Sequence, residues 1–230
     1  MLGIASEKKD KGLIQAEASL SLKERTKAQR KRAAPDRRRI LVITGTPGVG
    51  KTFISNLLAS KLEAERISIG ELVEKENLHI GWDEERKTLI ADLERLSRRI
   101  KEIIRNRRKT LIFEGHYAVH VVPPEKVHLT FVFRRDPREL EKTLKNRGYN
   151  PRKIRENLAA EILDVCLYDA VNMYGVEKVC EIDTSRKKPN EVVEMIILIM
   201  EGKKKCQVGL VDWLGMLENE GELDKYLEDF

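Results

Sequence analysis

The chain has 230 residues, 41% apolar and 36% charged, with a net charge of +6, so one sizeable core with appendages can be buried. No apolar run approaches the roughly 20 residues that span a bilayer, and the N-terminus lacks the unbroken apolar stretch of a secretion signal. Collagenous, wholly disordered and membrane-spanning classes are excluded, and a cytoplasmic protein without membrane contact is expected.

In chain order, residues 1–39 come first, with twelve Lys/Arg against five Asp/Glu. This basic arm, taken as residues 1–38, suits a phosphate-rich partner such as rRNA; a solvated tail is the alternative. Its helix-compatible stretch Leu13–Arg32 ends before Pro35. From Arg39 the pattern alternates. Ile40–Thr44, ILVIT, is a β-branched run of the kind that forms a strand buried on both faces. Phe53–Leu62 repeats apolar residues at helical spacing, RISI reads as a short strand and GELVEKE as a helix, and a charged amphipathic helix is expected from about Asp83 to Arg107. Thr110–Phe113, His128–Phe133 and Lys178–Ile182 read as further strands. Asp136–Asn146, Arg152–Tyr174 and Asn190–Met200 read as helices, the first two separated by the turn RGYNP. Alternating strands and helices imply an α/β fold of three layers, a central parallel five-stranded sheet between helices, spanning residues 39–202. The tail, 203–230, holds amphipathic pieces around Trp213 and Tyr226, whose apolar face can cover the sheet.

The chemistry begins at GTPGVGKT, Gly45–Thr52, which fits G-x-x-x-x-G-K-[ST] between a buried strand and a helix. Gly48 and Gly50 let backbone N–H groups converge on an anion, Lys51 reaches the outer phosphates of ATP, and the Thr52 hydroxyl suits Mg²⁺. Phosphoryl transfer or nucleotide hydrolysis follows. A second carboxylate is needed at the end of a neighbouring strand, and Glu114, after Leu111–Phe113, is the candidate; a surface salt bridge is the alternative. His116, two residues on, either positions a water or moves a proton, or is a structural histidine. His79, His120 and His128 receive no chemistry. Arg134, Arg135 and Arg147 are candidates for stabilising charge on the transferred group, Arg147 above all because RGYNP makes a short closing flap. Cys166, Cys180 and Cys206, odd in number and without C-x-x-C, are expected as reduced thiols, in neither a disulfide framework nor a zinc site.

These motifs resemble one family. GTPGVGKT, ISIGELVEKENL, GWDEERKTLIADLERL, the E-G-H triplet, FVFRRD, LKNRGYNPRKIRENLAAEILDV and RKKPNEVV occur in the order seen in adenylate kinase isoenzyme six, an archaeal and eukaryotic branch linked to small-ribosomal-subunit maturation. The resemblance covers about residues 39–201. It implies the P-loop nucleoside monophosphate kinase fold, with residues 68–91 as the monophosphate-binding arm and 146–156 as a short lid. It further implies ATP contacts for Gly48, Gly50, Lys51, Thr52, Phe53 and Arg147, and an adenine-side contact for Lys188. Transfer from ATP to AMP or another nucleoside monophosphate, accompanying ATPase activity and small-subunit ribosomal protein eleven as a partner are implied likewise. An assembly-factor NTPase and a small-metabolite kinase are the alternatives, and the RGYN lid speaks against the second. ISIGELVEK lacks the Arg with which typical adenylate kinases grip AMP.

Overall fold

A computed structural model describes residues 38–227. The basic arm therefore lies outside the described residues, apart from Arg38, whose guanidinium donates to the Ile104 carbonyl.

Five parallel strands form the sheet: β1 (Ile40–Thr44), β2 (Glu65–Ser68), β5 (Leu111–Glu114), β6 (Leu129–Arg134) and β7 (Val179–Asp183), in the order β2-β5-β1-β6-β7. Register is set by pairs such as Val42 with Phe113 and with Thr130. Alternation along each central strand splits the core in two. Leu41, Ile43, Phe131, Phe133, Cys180 and Ile182 pack on one face, with residues of α1 (Lys51–Leu62), α4 (Pro137–Asn146), α5 (Pro151–Ile162) and α7 (Pro189–Met200). Ile40, Val42, Phe113, Val132 and Val179 pack on the other, with residues of α2 (Ile69–Lys75), α3 (Leu93–Asn106) and α6 (Val165–Tyr174). Phe113, Phe131 and Phe133 are fully buried, each contributing about 1.5–3 kcal/mol of transfer free energy.

Three expectations are corrected. The stretch from Asp83 does not enter a helix directly: β3 (His79–Asp83) and β4 (Thr88–Ala91) form an antiparallel hairpin, and α3 starts only at Leu93. Asp83 Oδ1 accepts from the Arg86 backbone N–H at 2.8 Å and Lys87 turns to φ 46°, closing the turn, while Asp92 caps α3 through Arg95 N at 3.0 Å. The helix expected over Arg152–Tyr174 breaks between Ile162 and Val165, where Asp164 takes φ 58° and its carboxylate meets Arg134. Arg134 Nη2 also donates to the Glu161 carbonyl at 2.8 Å, so a buried guanidinium satisfies the helix end.

The third correction is covalent. Cys180 and Cys206 are joined in a disulfide, their Cα atoms 4.9 Å apart, and only Cys166 keeps a free thiol. The chain leaving α7 returns beside β7, where Glu181 N donates to Gln207 O at 2.8 Å, and this brings cysteines 26 residues apart into reach. The tail then forms α8 (Trp213–Asn219) and α9 (Asp224–Leu227), whose Trp213, Leu217 and Tyr226 are buried in the first core. Its apolar face covers the helical layer over the sheet, packing on α5. Among the described residues no helix is long and apolar enough to cross a membrane.

Candidate functional site

The phosphate loop follows β1 and ends at the N-terminus of α1, where Gly50 is the cap. Its backbone leaves little choice of residue. Gly45 has φ 132° and a Cβ there would stand 2.4 Å from the Phe133 carbonyl; Gly48 has φ 100° and its Cβ would meet Leu140 Cδ1 at 2.7 Å. Lys51 is buried, and its ammonium donates to Gly45 O at 2.7 Å and Thr46 O at 3.0 Å. Burial pulls its pKa below the ordinary lysine value, opposed by the Cys166 thiolate form and by the Glu114 and Glu161 carboxylates.

Glu114 ends β5 and is only 4% exposed. Thr52 Oγ1 stands 3.4 Å from Glu114 Oε1 and 3.5 Å from Oε2. Parallel register puts β5 beside β1, so the strand that carries Glu114 ends next to the strand that launches the loop. The salt-bridge alternative is also present: Arg66 Nη1 pairs with Glu114 at 3.0 Å and Arg66 Nη2 with Glu71 at 2.6 Å. One hydroxyl and one carboxylate form a donor set that suits Mg²⁺, which keeps most of its shell as water and substrate phosphate. Among the described residues no group of three or more His, Cys, Asp or Glu is placed to hold a metal.

These residues line one cleft of about 580 Å³, together with Gly48, Gly50, Phe53, His116 and Arg147. Phe53 is 61% exposed at α1's first turn. His116 is exposed in the cleft, its ring packed edge-on to Tyr117 with centroids 4.4 Å apart. The surrounding cleft walls, then the charges of Lys51, Lys153 and His120, pull its pKa down to about 4. The residue's exposure tempers that pull without reversing it, and the imidazole is neutral at pH 7. Arg147 caps α4 and enters the cleft lining. Lys188 stands away from the cleft. It is exposed at the N-cap of α7, where its backbone N–H donates to Glu191 at 3.0 Å, and it does not line the cleft. A smaller groove of about 400 Å³ between α4, α5 and α9 shares only Tyr149 with the cleft and contains none of this chemistry.

Of the arginines after β6, Arg134 does not turn toward the cleft. It is 1% exposed and pairs with Glu161 at 2.8 Å, Glu181 at 2.7 Å and Asp164. Burial pulls its pKa down, but the three carboxylates outweigh it and keep the guanidinium firmly charged. Arg135 pairs with Glu139 at 3.3 Å and reaches the Gly48 carbonyl at 3.4 Å, so it braces the loop from outside. His128 is structural, its Nδ1 accepting from Ile40 N at 3.0 Å.

Sequence reasoning missed several cleft residues. Arg86, at the hairpin tip, lines the cleft and pairs with Glu156 at 3.2 Å. Lys153 donates to Arg86 O at 2.9 Å and stacks its ammonium over Tyr149 at 4.6 Å. His120 also lines the cleft and sits 3.3 Å from Asp169. Only the hairpin's geometry distinguishes Arg86; in the sequence it reads as one more charge on a helix face.

A family model described as AAA domain matches residues 41–164, from β1 to the end of α5. The "Putative adenylate kinase" of Methanocaldococcus jannaschii is 40% identical over 173 residues, covering 75% of this chain and 92% of that protein. The protein of the same name from Methanothermobacter thermautotrophicus is 38% identical over 178 residues, covering 77% of this chain and 99% of its own length. In fold, the shikimate kinase of Acinetobacter baumannii, solved with shikimate, superposes with a TM-score of 0.53 at 16% identity over 74% of this chain and 96% of that one. That of Bacteroides thetaiotaomicron gives 0.51, also at 16% identity, over 71% and 98%. The sheet order, the phosphate loop and these neighbours together define a P-loop kinase fold of the nucleoside monophosphate kinase type. With 40% and 38% of the matched residues identical, over 92% and 99% of those proteins' lengths, the chain belongs to the adenylate-kinase-like family of these archaeal proteins.

Proposed function

We propose that the protein transfers the γ-phosphoryl group of ATP to a nucleoside monophosphate, AMP first, forming two ADP, and hydrolyses ATP when water takes the acceptor's place. The observation that carries this reading is a single cleft lined both by the phosphate loop and by the hairpin that follows α2, with Arg86, Ser68, Gly70 and Thr88 on the hairpin side. Two phosphate-bearing ligands meeting between two such walls is the geometry that in-line transfer requires.

In this reading the loop's N–H groups and the dipole of α1 hold the triphosphate, and Lys51 exchanges its two carbonyl partners for phosphate oxygens. Thr52 and Glu114 would hold Mg²⁺, which when bound neutralises charge on the phosphate oxygens. Arg147 supplies a guanidinium to the transferred group, and Lys153 adds a second cation from the lid. His116, neutral at pH 7, accepts a proton or a hydrogen bond from water at the γ-phosphate, which gives hydrolysis its own residue. The names of the relatives and the RGYN lid support AMP as acceptor over a small metabolite.

A role in small-ribosomal-subunit maturation, with small-subunit ribosomal protein eleven and rRNA as partners, is supported by the family resemblance and by the basic residues 1–39. ATP is the nucleotide in either role. The test is nucleotide analysis after incubating the protein with ATP plus AMP, and with ATP alone. Two ADP per ATP consumed is the expected result, and Lys51→Met abolishes both reactions while leaving the circular dichroism spectrum unchanged. Phosphate release without ADP pairs overturns the kinase assignment.

A further inference from the structure

The segment after Lys203 has no part in the site described, lies outside the matched residues 41–164, and yet is tied to the site by a continuous buried path. The disulfide at Cys206 fixes its start to β7, and Leu210 N donates to Glu181 Oε2 at 2.6 Å. Asp212 caps α8, setting Trp213 at its first position, and the indole Nε1 donates to Glu161 Oε1 at 3.1 Å. That same oxygen accepts from Arg134 Nε at 2.8 Å and from the Arg135 backbone N–H at 3.1 Å. The other oxygen, Oε2, accepts from the Thr46 hydroxyl at 2.6 Å. Thr46 is the second residue of the phosphate loop, and its carbonyl holds the Lys51 ammonium.

Glu161 is thus a buried carboxylate whose plane is set by four donors from three separate parts of the chain. Two of them, on β6 and its exit, fix one oxygen's position together with Trp213, and the second oxygen then points at the loop. Removing the indole donor leaves Oε1 with two donors on one side, so the carboxylate plane turns and the Thr46 bond lengthens. Loop N–H groups converge on a phosphate only if the loop's shape is held to a fraction of an ångström.

We infer that Trp213 is a positioning residue for the phosphate loop: through Glu161 it holds Thr46, and the tail is therefore part of the ATP site without touching it. The inference rests on the reading that this loop binds ATP. Trp213→Phe in the full chain removes the N–H donor and keeps most of the ring. Calorimetric titration with MgATP is expected to give binding weaker by roughly three- to tenfold. Thr46→Val weakens binding too, and adding Trp213→Phe to it produces no further loss, because the path is already cut. Leu217→Ala, which trims the same tail helix, lowers the unfolding midpoint but leaves the MgATP dissociation constant within about twofold, as Leu217 donates no hydrogen bond to Glu161. Linkage also runs backward: MgATP slows hydrogen exchange at the Trp213 indole in the wild-type chain, a reading that holds whether or not the variants fold. Unchanged affinity in Trp213→Phe, losses that multiply in the double variant, an affinity loss in Leu217→Ala equal to that in Trp213→Phe, or indole exchange indifferent to MgATP each overturns the inference. A wild-type chain that binds no MgATP overturns the nucleotide-site reading beneath it, and the inference with it.

Discussion

Arg86 and Glu156 face each other at 3.2 Å, joining the tip of the β3–β4 hairpin to the helix that follows the Gly-Tyr-Asn-Pro turn. Arg152 with Glu85 at 2.9 Å and Asn150 with the Glu85 carbonyl at 3.4 Å add to the same clasp, so the two proposed closing elements meet across the cleft. Water screens the pair, whose Arg86 side chain is 48% exposed, so it adds little to stability. Arg86→Ala should therefore shift the unfolding midpoint by no more than about 4 °C. If Arg86 also grips the acceptor, the KM for AMP rises about tenfold, one charged hydrogen bond's worth, with the KM for ATP unchanged. Equal rises in both KM values in steady-state assays would leave Arg86 as a clasp only.

Glu114→Gln keeps the shape of the carboxylate but removes the charge that suits a cation beside Thr52. Transfer and hydrolysis should fall together, by roughly 10–100-fold at saturating Mg²⁺. Arg66 retains Glu71 as a partner, so the loss of stability stays well below the about 3–5 kcal/mol of an orphaned buried charge. Hydrolysis spared while transfer falls would remove Glu114 from the metal's surroundings.

His116→Gly separates the two reactions. The acceptor phosphate oxygen needs no base, whereas water does, so hydrolysis should drop several-fold more than transfer. With its pKa lowered to about 4, the wild-type imidazole stays unprotonated where an ordinary histidine begins to charge. Hydrolysis should accordingly stay level from pH 8 down to about 6 and decline only as the pH falls toward the depressed value. Equal losses in both reactions would make His116 a structural support.

The Cys180–Cys206 bridge closes a loop across 26 residues of sequence separation, which in the chain-entropy picture corresponds to about 3–4 kcal/mol. Cys206→Ser should lower the denaturant midpoint as far as reducing agent lowers that of the wild type, and the variant should no longer respond to reductant. A wild-type midpoint indifferent to reductant would mean that the two cysteines remain thiols in solution.

The arm offers a fifth expectation. If its Lys and Arg residues neutralise phosphates, RNA affinity falls steeply with salt, and deleting residues 1–36 flattens that slope and weakens binding. Equal slopes in filter-binding titrations with and without the arm would mark it as a solvated tail.

Local patterns decided much of this protein. Strands such as β1 are visible as short apolar runs, because a strand buried on both faces must be mostly apolar, and Gly45–Thr52 is visible because only glycines accept the φ values that the loop needs. The turn RGYNP and the strand-end Glu114 were legible for the same reason: each obeys a rule that spans a few residues. What stayed hidden depends on neighbours distant in the chain. The hairpin around Arg86 looked helical since its charges and apolar residues also fit a helical period, and Asp83 and Lys87 decide otherwise only through turn geometry. Arg134 read as a guanidinium for the transferred phosphoryl group, whereas three carboxylates from α5, its exit and β7 converge on it, 27 to 47 residues away in sequence. The disulfide and the Trp213–Glu161–Thr46 path were hidden likewise, since cysteines, tryptophan, glutamate and threonine carry no short-range mark of their partners. Secondary structure and the anion loop answer to local sterics and periodicity; the pairing of buried charge, thiol and tail answers to packing, which sheet order alone brings about.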